Sequence, residues 1–359
     1  MKIKLFDPHI GKEEENAIKK VLKSKYWASG AGSKNVIDFE KEFKNYVGCK
    51  ECVAVNSGTA ALNLAMSLAN IKNKEVIVPS LTFVSTVNAI LYNGGNPVFA
   101  DVDPETLCID KETIESKITK KTKAILPVHF GGMPCKLNDI KKIANKENLF
   151  IVEDGAHAAG SKFGTKKIGS HSQAVCFSFH PVKNIAMPTG GIIAINDKES
   201  KIMKNSLQER RWCGIKNRNF NSYEISELAN NYYMNEFSAA IGRIQLRKLE
   251  RLNNKRREIA KIYSEEIKIE NKMKFSKDCS YHLFWIRVKS REKLRKILLE
   301  NGIETGIHYA PVHKFELYDK KIKLEITEKA SEEIITIPMH PNLTLNEINK
   351  VIRCINNNL

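Results

Sequence analysis

Residues 176–191 read CFSFHPVKNIAMPTGG and set one lysine, Lys183, between a strand-like apolar run and the pair Gly190 and Gly191. A lysine held among apolar or cationic neighbours loses proton affinity, and its free amine can attack a carbonyl to form a Schiff base. A lysine on a solvated loop has the same local pattern. In IVEDGAHAAG, Asp154 ends an apolar run and His157 follows three residues on. A carboxylate there can keep a proton on a heterocyclic nitrogen, and the histidine can shield or hydrogen-bond the same ring. A helix cap or a metal ligand would read alike. In NSGTAALNL, Ser57, Gly58 and Thr59 stand where a strand passes into a helix. The N–H groups and dipole at such a place favour an anion such as phosphate, although a cap without ligand uses the same residues. Ser178, close to the end of AVCFSF, adds a hydroxyl. A phosphate cradle, an acid for a ring nitrogen and an imine-forming lysine together are the parts that pyridoxal phosphate requires.

These residues need elements that bring them together. From about residue 34, apolar runs of strand length alternate with helical periods: ECVAVN with GTAALNLAMSLAN, EVIVP with TFVSTVNAILYNG, NPVFADV with the segment from Asp110, and KAILPV with LNDIKKIANKEN, followed by LFIVED. Alternation of this kind predicts an α/β fold whose mostly parallel central sheet is flanked by helices on both faces. In such a sheet ligands bind where the chain leaves the carboxyl ends of the strands, which is where the three chemical stretches lie. Residues 235–268 read as one long amphipathic helix bridging to a smaller C-terminal α/β domain built from HLFWIRV, the helix REKLRKILLENG, a short strand near Ile303 and a last helix from about Leu345. The boundary falls between a large domain, residues 1–240, and residues 241–359.

Bulk properties narrow the partners. With 359 residues and 42% hydrophobic content the chain can bury a sizeable core. No apolar run approaches the roughly 20 residues that span a bilayer, and the start MKIKLFDPHIGKEEEN turns polar early, so the expected location is cytoplasmic with no membrane partner. The eight cysteines are scattered. Cys49 and Cys52 lack a second pair at zinc spacing, so no metal is expected and the thiols read as reduced. The net charge of +17 is spread along helices beside glutamates, as in RKLERLNNKRREIAKIYSEEI. Without a recognisable nucleic-acid motif this reads as solvated helix faces, and no nucleic-acid partner is expected.

Nearly the whole chain resembles the DegT/DnrJ/EryC1/StrS family of sugar aminotransferases, pyridoxal-phosphate enzymes of fold type I. The likeness rests on FEKEFKNYVG, AVNSGTAALNLAM, VIVPSLTFVSTVNAI, PVFADVDPETL, IVEDGAHAAGSKFGTKKIGS, FSFHPVKN, MNEFSAAIGRIQLRKLE, IHYAPVH and IPMHPNLT. The resemblance implies that Lys183 is the Schiff-base lysine and proton shuttle, with Asp154 as partner of the pyridinium nitrogen. It implies phosphate contacts for Gly58, Thr59 and Ser178, an aromatic ring stacked on the cofactor from Phe83, and a cofactor contact from His157. Asn231, in NNYYMNE, matches an asparagine that reaches the neighbouring subunit's phosphate, which implies a homodimer with shared sites. Tyr233 stands where relatives often have arginine, and Pro188 and Thr189 replace a frequent acidic residue before the paired glycines. YWASGAG and IHYAPVH match acceptor-pocket loops, pointing to Trp27, Tyr309 and His313. Lys25 and Arg211 are basic residues that could meet a diphosphate or a carboxylate. The implied reaction moves an amino group, from glutamate, through pyridoxamine phosphate to a nucleotide-linked keto-deoxysugar. The dehydratase branch of the family carries histidine at the Schiff-base position, where this chain has lysine.

Overall fold

The computed structural model describes residues 2–219, 221–318 and 321–359. Two helices, α1 (Lys12–Ser24) and α2 (Lys34–Val47), precede β1 (Glu51–Val55). The alternating run follows as α3 (Gly58–Ser67), β2 (Glu75–Pro79), α4 (Val84–Tyr92), β3 (Asn96–Ala100), α5 (Lys111–Glu115), β4 (Thr122–Ile125), α6 (Leu137–Glu147) and β5 (Phe150–Asp154). After a short hairpin, β6 (Lys162–Phe163) and β7 (Lys166–Lys167), come β8 (Ala174–Ser178), β9 (Gly191–Ile195) and α7 (Ser200–Arg210). A second hairpin, β10 (Ile215–Lys216) and β11 (Glu224–Ile225), leads to the long α8 (Glu236–Glu266). The C-terminal unit holds β12 (Phe284–Arg287), α9 (Arg291–Glu300), α10 (Glu325–Glu333), β13 (Ile334–Ile337) and α11 (Leu345–Asn356).

The central sheet has seven strands in the order β1-β9-β8-β5-β4-β2-β3. Six run parallel, and β9 alone is antiparallel to both its neighbours, β1 and β8. Both faces are covered, as the continuous apolar strands require. Val53, Val55, Val76, Val78 and Val152 pack on one side with α3, whereas Cys52, Ala54, Ile77, Ile151 and Phe177 pack on the other with Phe39 and Phe43 of α2. The period-2 alternation of each strand thus feeds two cores.

The helix caps decide where the loops begin. Ser57 caps α3 by accepting from the Ala60 N–H at 3.1 Å, and Asp110 caps α5 by accepting from the Thr113 N–H at 3.0 Å. Asn235 accepts from the Ser238 N–H at 2.8 Å and starts α8 close to the expected place. The strand expected near Ile303 is only a single parallel bridge to Ile3. The partner of β12 is instead β13, antiparallel to it and next after α10. No helix among the described residues is long and apolar enough to cross a membrane.

Candidate active site

The carboxyl ends of β1, β2, β5 and β8 and the start of β9 meet at one edge of the sheet, and a cavity of about 440 Å³ opens there against the C-terminal unit. Ser57, Gly58, Thr59, Phe83, Asp154, His157, Ser178, Lys183 and Tyr309 all line it. Residues from distant parts of the chain therefore converge because the parallel strands share one direction.

Lys183 rides on the connection from β8 to β9. Phe179 N–H donates to Gly190 O at 2.9 Å, Met187 N–H to Phe179 O at 3.0 Å and Lys183 N–H to His180 O at 2.8 Å. The amine is buried, which lowers its proton affinity, and the nearby Asp154 carboxylate partly restores it; the result is a pKa of about 8. Asp154 is 5% exposed. Burial pushes its pKa up, against the opposing pull of the Ala156 N–H at 3.0 Å, the Thr86 hydroxyl at 2.8 Å and the Lys183 charge. Thr86, from the first turns of α4, thus fixes the carboxylate's orientation.

The cradle around residue 58 is built by close approach. A Cβ on Gly58 would fall 2.6 Å from Ser178 Cβ, and one on Gly191 would fall 2.3 Å from the Ser57 carbonyl oxygen. Only glycines let the α3 N-terminus, β8 and β9 come this close. The Gly58 and Thr59 N–H groups at the start of α3, with the Ser178 hydroxyl beside them, are suited to a phosphate.

His157 and Tyr309 form an ordered chain. The Gly131 N–H donates to His157 Nδ1 at 3.2 Å, so Nδ1 carries no proton and Nε2 does. Nε2 then donates to the Tyr309 hydroxyl oxygen at 3.0 Å. The phenol's own proton remains for another acceptor, and Tyr309 lies on the cavity wall with its ring 6.0 Å from Phe83. Burial, with the Lys183 and His308 charges, holds His157 well below the usual imidazole range, so the neutral tautomer persists.

The other residues singled out by the resemblance stand elsewhere. His313 does not line the cavity; it is 1% exposed, with Nδ1 2.6 Å from the Ser80 hydroxyl and Nε2 3.2 Å from Glu328. Packing, not ligand contact, accounts for it. Trp27 is also outside the cavity, half exposed with its ring 5.9 Å from Phe237. Asn231 is exposed and bridges to Trp212 through its backbone, directing no side chain into this cavity. Arg211 is buried against Glu40 at 2.7 Å and accepted by the carbonyls of Gly30, Ala31 and Ala54, and it serves the fold. His282 and His308, both from the C-terminal unit, line the cavity although no local pattern around them predicts it.

An anion cradle, a buried carboxylate and a buried amine with depressed proton affinity in one cavity fit a phosphorylated pyridine aldehyde. The comparisons agree. A relative in Methanocaldococcus jannaschii, "Uncharacterized protein MJ1066", is 35% identical over 98% of this chain and 96% of its own. Among solved structures, Helicobacter pylori PseC, described as an aminotransferase involved in the biosynthesis of pseudoaminic acid, superposes with TM-score 0.93 at 28% identity over 99% of this chain and 98% of that one. The putative sugar aminotransferase Spr1654 of Streptococcus pneumoniae, in its PMP form, gives TM-score 0.94 at 25% identity over 99% and 97%. DesV of S. venezuelae gives 0.89 at 30% identity over 96% and 94%. The family model of the DegT/DnrJ/EryC1/StrS aminotransferases matches residues 8–356, and this chain therefore belongs to that family of pyridoxal-phosphate-dependent aminotransferases.

Proposed function

We propose that the protein transfers an amino group from an amino-acid donor, L-glutamate, to the keto carbon of a nucleotide-linked deoxysugar, in the cytoplasm and on a route to amino-sugar-containing surface polysaccharide. The observation that carries this reading is the burial of Lys183 and Asp154 in one cavity with the cradle of Ser57, Gly58, Thr59 and Ser178. When bound, pyridoxal phosphate supplies a carbonyl that takes up the amino group and a ring that withdraws electrons from the reacting carbon.

The chain's own residues do the rest. Asp154, braced by Thr86 and the Ala156 N–H, presents an anionic oxygen that holds a proton on a ring nitrogen. The cradle would hold the phosphate and Phe83 would lie against the ring; His157 orders the Tyr309 hydroxyl, whose free proton is suited to a substrate oxygen. Lys183, with a pKa of about 8, has an appreciable fraction of free amine near neutral pH. Its Nζ can therefore take a proton from one carbon and return it to another without leaving the cavity.

Asn231, exposed on the surface, is assigned to a partner subunit's site in a two-fold dimer, and Trp27 to the acceptor pocket. The test is a panel of nucleotide-linked ketosugars added to the pyridoxamine form. Decay of its absorbance with one or more of them, and a product in which amine replaces oxygen, is the expected result. Decay only with acceptors lacking a nucleotide would overturn the substrate assignment.

A further inference from the structure

We infer that His282 is a positioning residue that accepts a hydrogen bond from the Lys183 amine and so holds it, whenever it is free, at one place in the cavity. This rests on the reading of Lys183 as the reactive amine. His282 Nε2 lies 3.2 Å from Lys183 Nζ, and the imidazole is only 2% exposed. Its ring is clamped: Phe6 stacks on it at 5.4 Å and 16°, and the His157 ring stands 4.4 Å away. The segments that carry the two partners are also tied together through side chains. Asn184, next to Lys183, donates to Ser280 O at 2.8 Å, and the Ser280 hydroxyl donates to His157 O at 3.0 Å. Both ends of the Lys183–His282 contact are therefore set by packing before any ligand arrives.

Direction follows from charge. An ammonium has donors only, so with Lys183 protonated Nε2 must accept. Among the described residues, the charges that act most strongly on His282 are those of Lys183, His157, His308 and Arg256, all basic. With burial, they keep the imidazole neutral and its Nε2 lone pair available. Among the described residues, Asp154 is the acid that acts on the lysine itself. Lys183 thus has an acidic neighbour and, on the C-terminal unit, a neutral acceptor. That acceptor keeps the flexible side chain from sampling other rotamers between proton transfers.

The test reads Lys183 directly in cofactor-free protein, so its outcome is independent of which acceptor the enzyme uses. Trinitrobenzenesulfonate labels free amines; labelling of the Lys183 peptide is followed by mass spectrometry across a pH series in wild type, His282→Gln, His282→Asn and His282→Leu. The wild-type midpoint is expected near pH 8. Glutamine places a carbonyl oxygen at the reach of Nε2 and should keep that midpoint. Asparagine is too short and leucine has no acceptor, so both should lower it by about one pH unit, because loss of an acceptor disfavours the ammonium. In the loaded enzyme, Asn should lower kcat about tenfold at unchanged KM, with Gln recovering most of it. A purely structural role would damage Gln and Asn alike. Midpoints that do not move in Asn, or that fall equally in Gln and Asn, would overturn the inference; should Leu fail to fold, the Gln–Asn pair still decides.

Discussion

Gly191 is the position where a single methyl group should couple the sheet to cofactor binding. A Cβ there would lie 2.3 Å from the Ser57 oxygen, 2.5 Å from its carbonyl carbon and 2.8 Å from the Gly58 nitrogen, all backbone atoms. Carbon pairs settle at about 3.5–4.0 Å, so roughly 1 Å of separation must be found. β9 cannot yield freely, because Gly191 pairs with Val55 on one side and Ser178 on the other. The displacement therefore falls on the turn at residues 57–58, and no rotamer change can relieve it. Overpacking costs about 1–3 kcal/mol, and a backbone clash belongs at the upper end. At about 2.1 cal/mol/K per residue, 359 residues give an unfolding entropy of about 0.75 kcal/mol/K, so Gly191→Ala should lower the Tm by about 4 °C. The shifted N–H groups should weaken cofactor binding about 10- to 100-fold, as lost hydrogen bonds to a charged group do. Gly190→Ala is the control. Its Cβ would meet Met187 Sδ at 2.8 Å and Met234 Cε at 3.2 Å, both flexible thioethers that can repack at small cost. Calorimetry and a spectroscopic cofactor titration of both variants decide the matter. Equal behaviour of the two, or a Gly191→Ala protein with wild-type Tm and affinity, would refute the reasoning.

Three further outcomes are expected. Tyr309→Phe removes the acceptor of the buried His157 Nε2–H; kcat/KM should fall about tenfold and stability by about 1–3 kcal/mol, measured by steady-state kinetics and urea unfolding. His308 titrates at about 4 in the fold, chiefly through burial, and near 6.5 when unfolded. The unfolded chain then binds the proton first as pH falls, so this group alone should cost the cofactor-free protein about 2 kcal/mol by pH 5, and His308→Gln should flatten the decline of urea midpoints between pH 7 and 5. Lys183→Ala and Asn231→Ala should each be inactive or nearly so, yet on subunit exchange half the dimers would be mixed with one intact site each, restoring about a quarter of wild-type activity; exchange verified by mass without recovery would reject a shared site.

The parallel strands were legible because each is an apolar run ended by turn or cap residues: EVIVP, LFIVED and AVCFSF become β2, β5 and β8 with little slippage. Residues at or just past the ends of such runs, Asp154 and Ser57 among them, reach the cavity for that reason. The reversal of β9 was not legible, since GIIAI has no mark of direction, and an antiparallel strand buried on both faces looks like a parallel one. β13 was hidden for a similar reason, being only four residues long and running on from α10. His282 lies 99 residues from Lys183. Its neighbours, YHLFW, show a strand and nothing of the contact, which exists because the segment before β12 is bonded to Gly131 and Asn184 of the main body. His313 illustrates the opposite failure: a polar residue in a pocket-like motif turned inward, where Ser80 and Glu328 satisfy both its nitrogens.

The antiparallel β9 also fixes how far the lysine can travel. Its connection leaves β8 at Ser178 and re-enters the adjacent strand at Gly191, two residues paired with each other. The segment is thus a closed omega whose neck is zipped by the ladder itself. Insertions or deletions within it would have to be absorbed by the twelve residues between, with no slack to borrow from either flank. A hinged lid can trade length for motion; a loop sewn shut at its base cannot, so movement during turnover must come from the side chain and from the C-terminal unit that faces it.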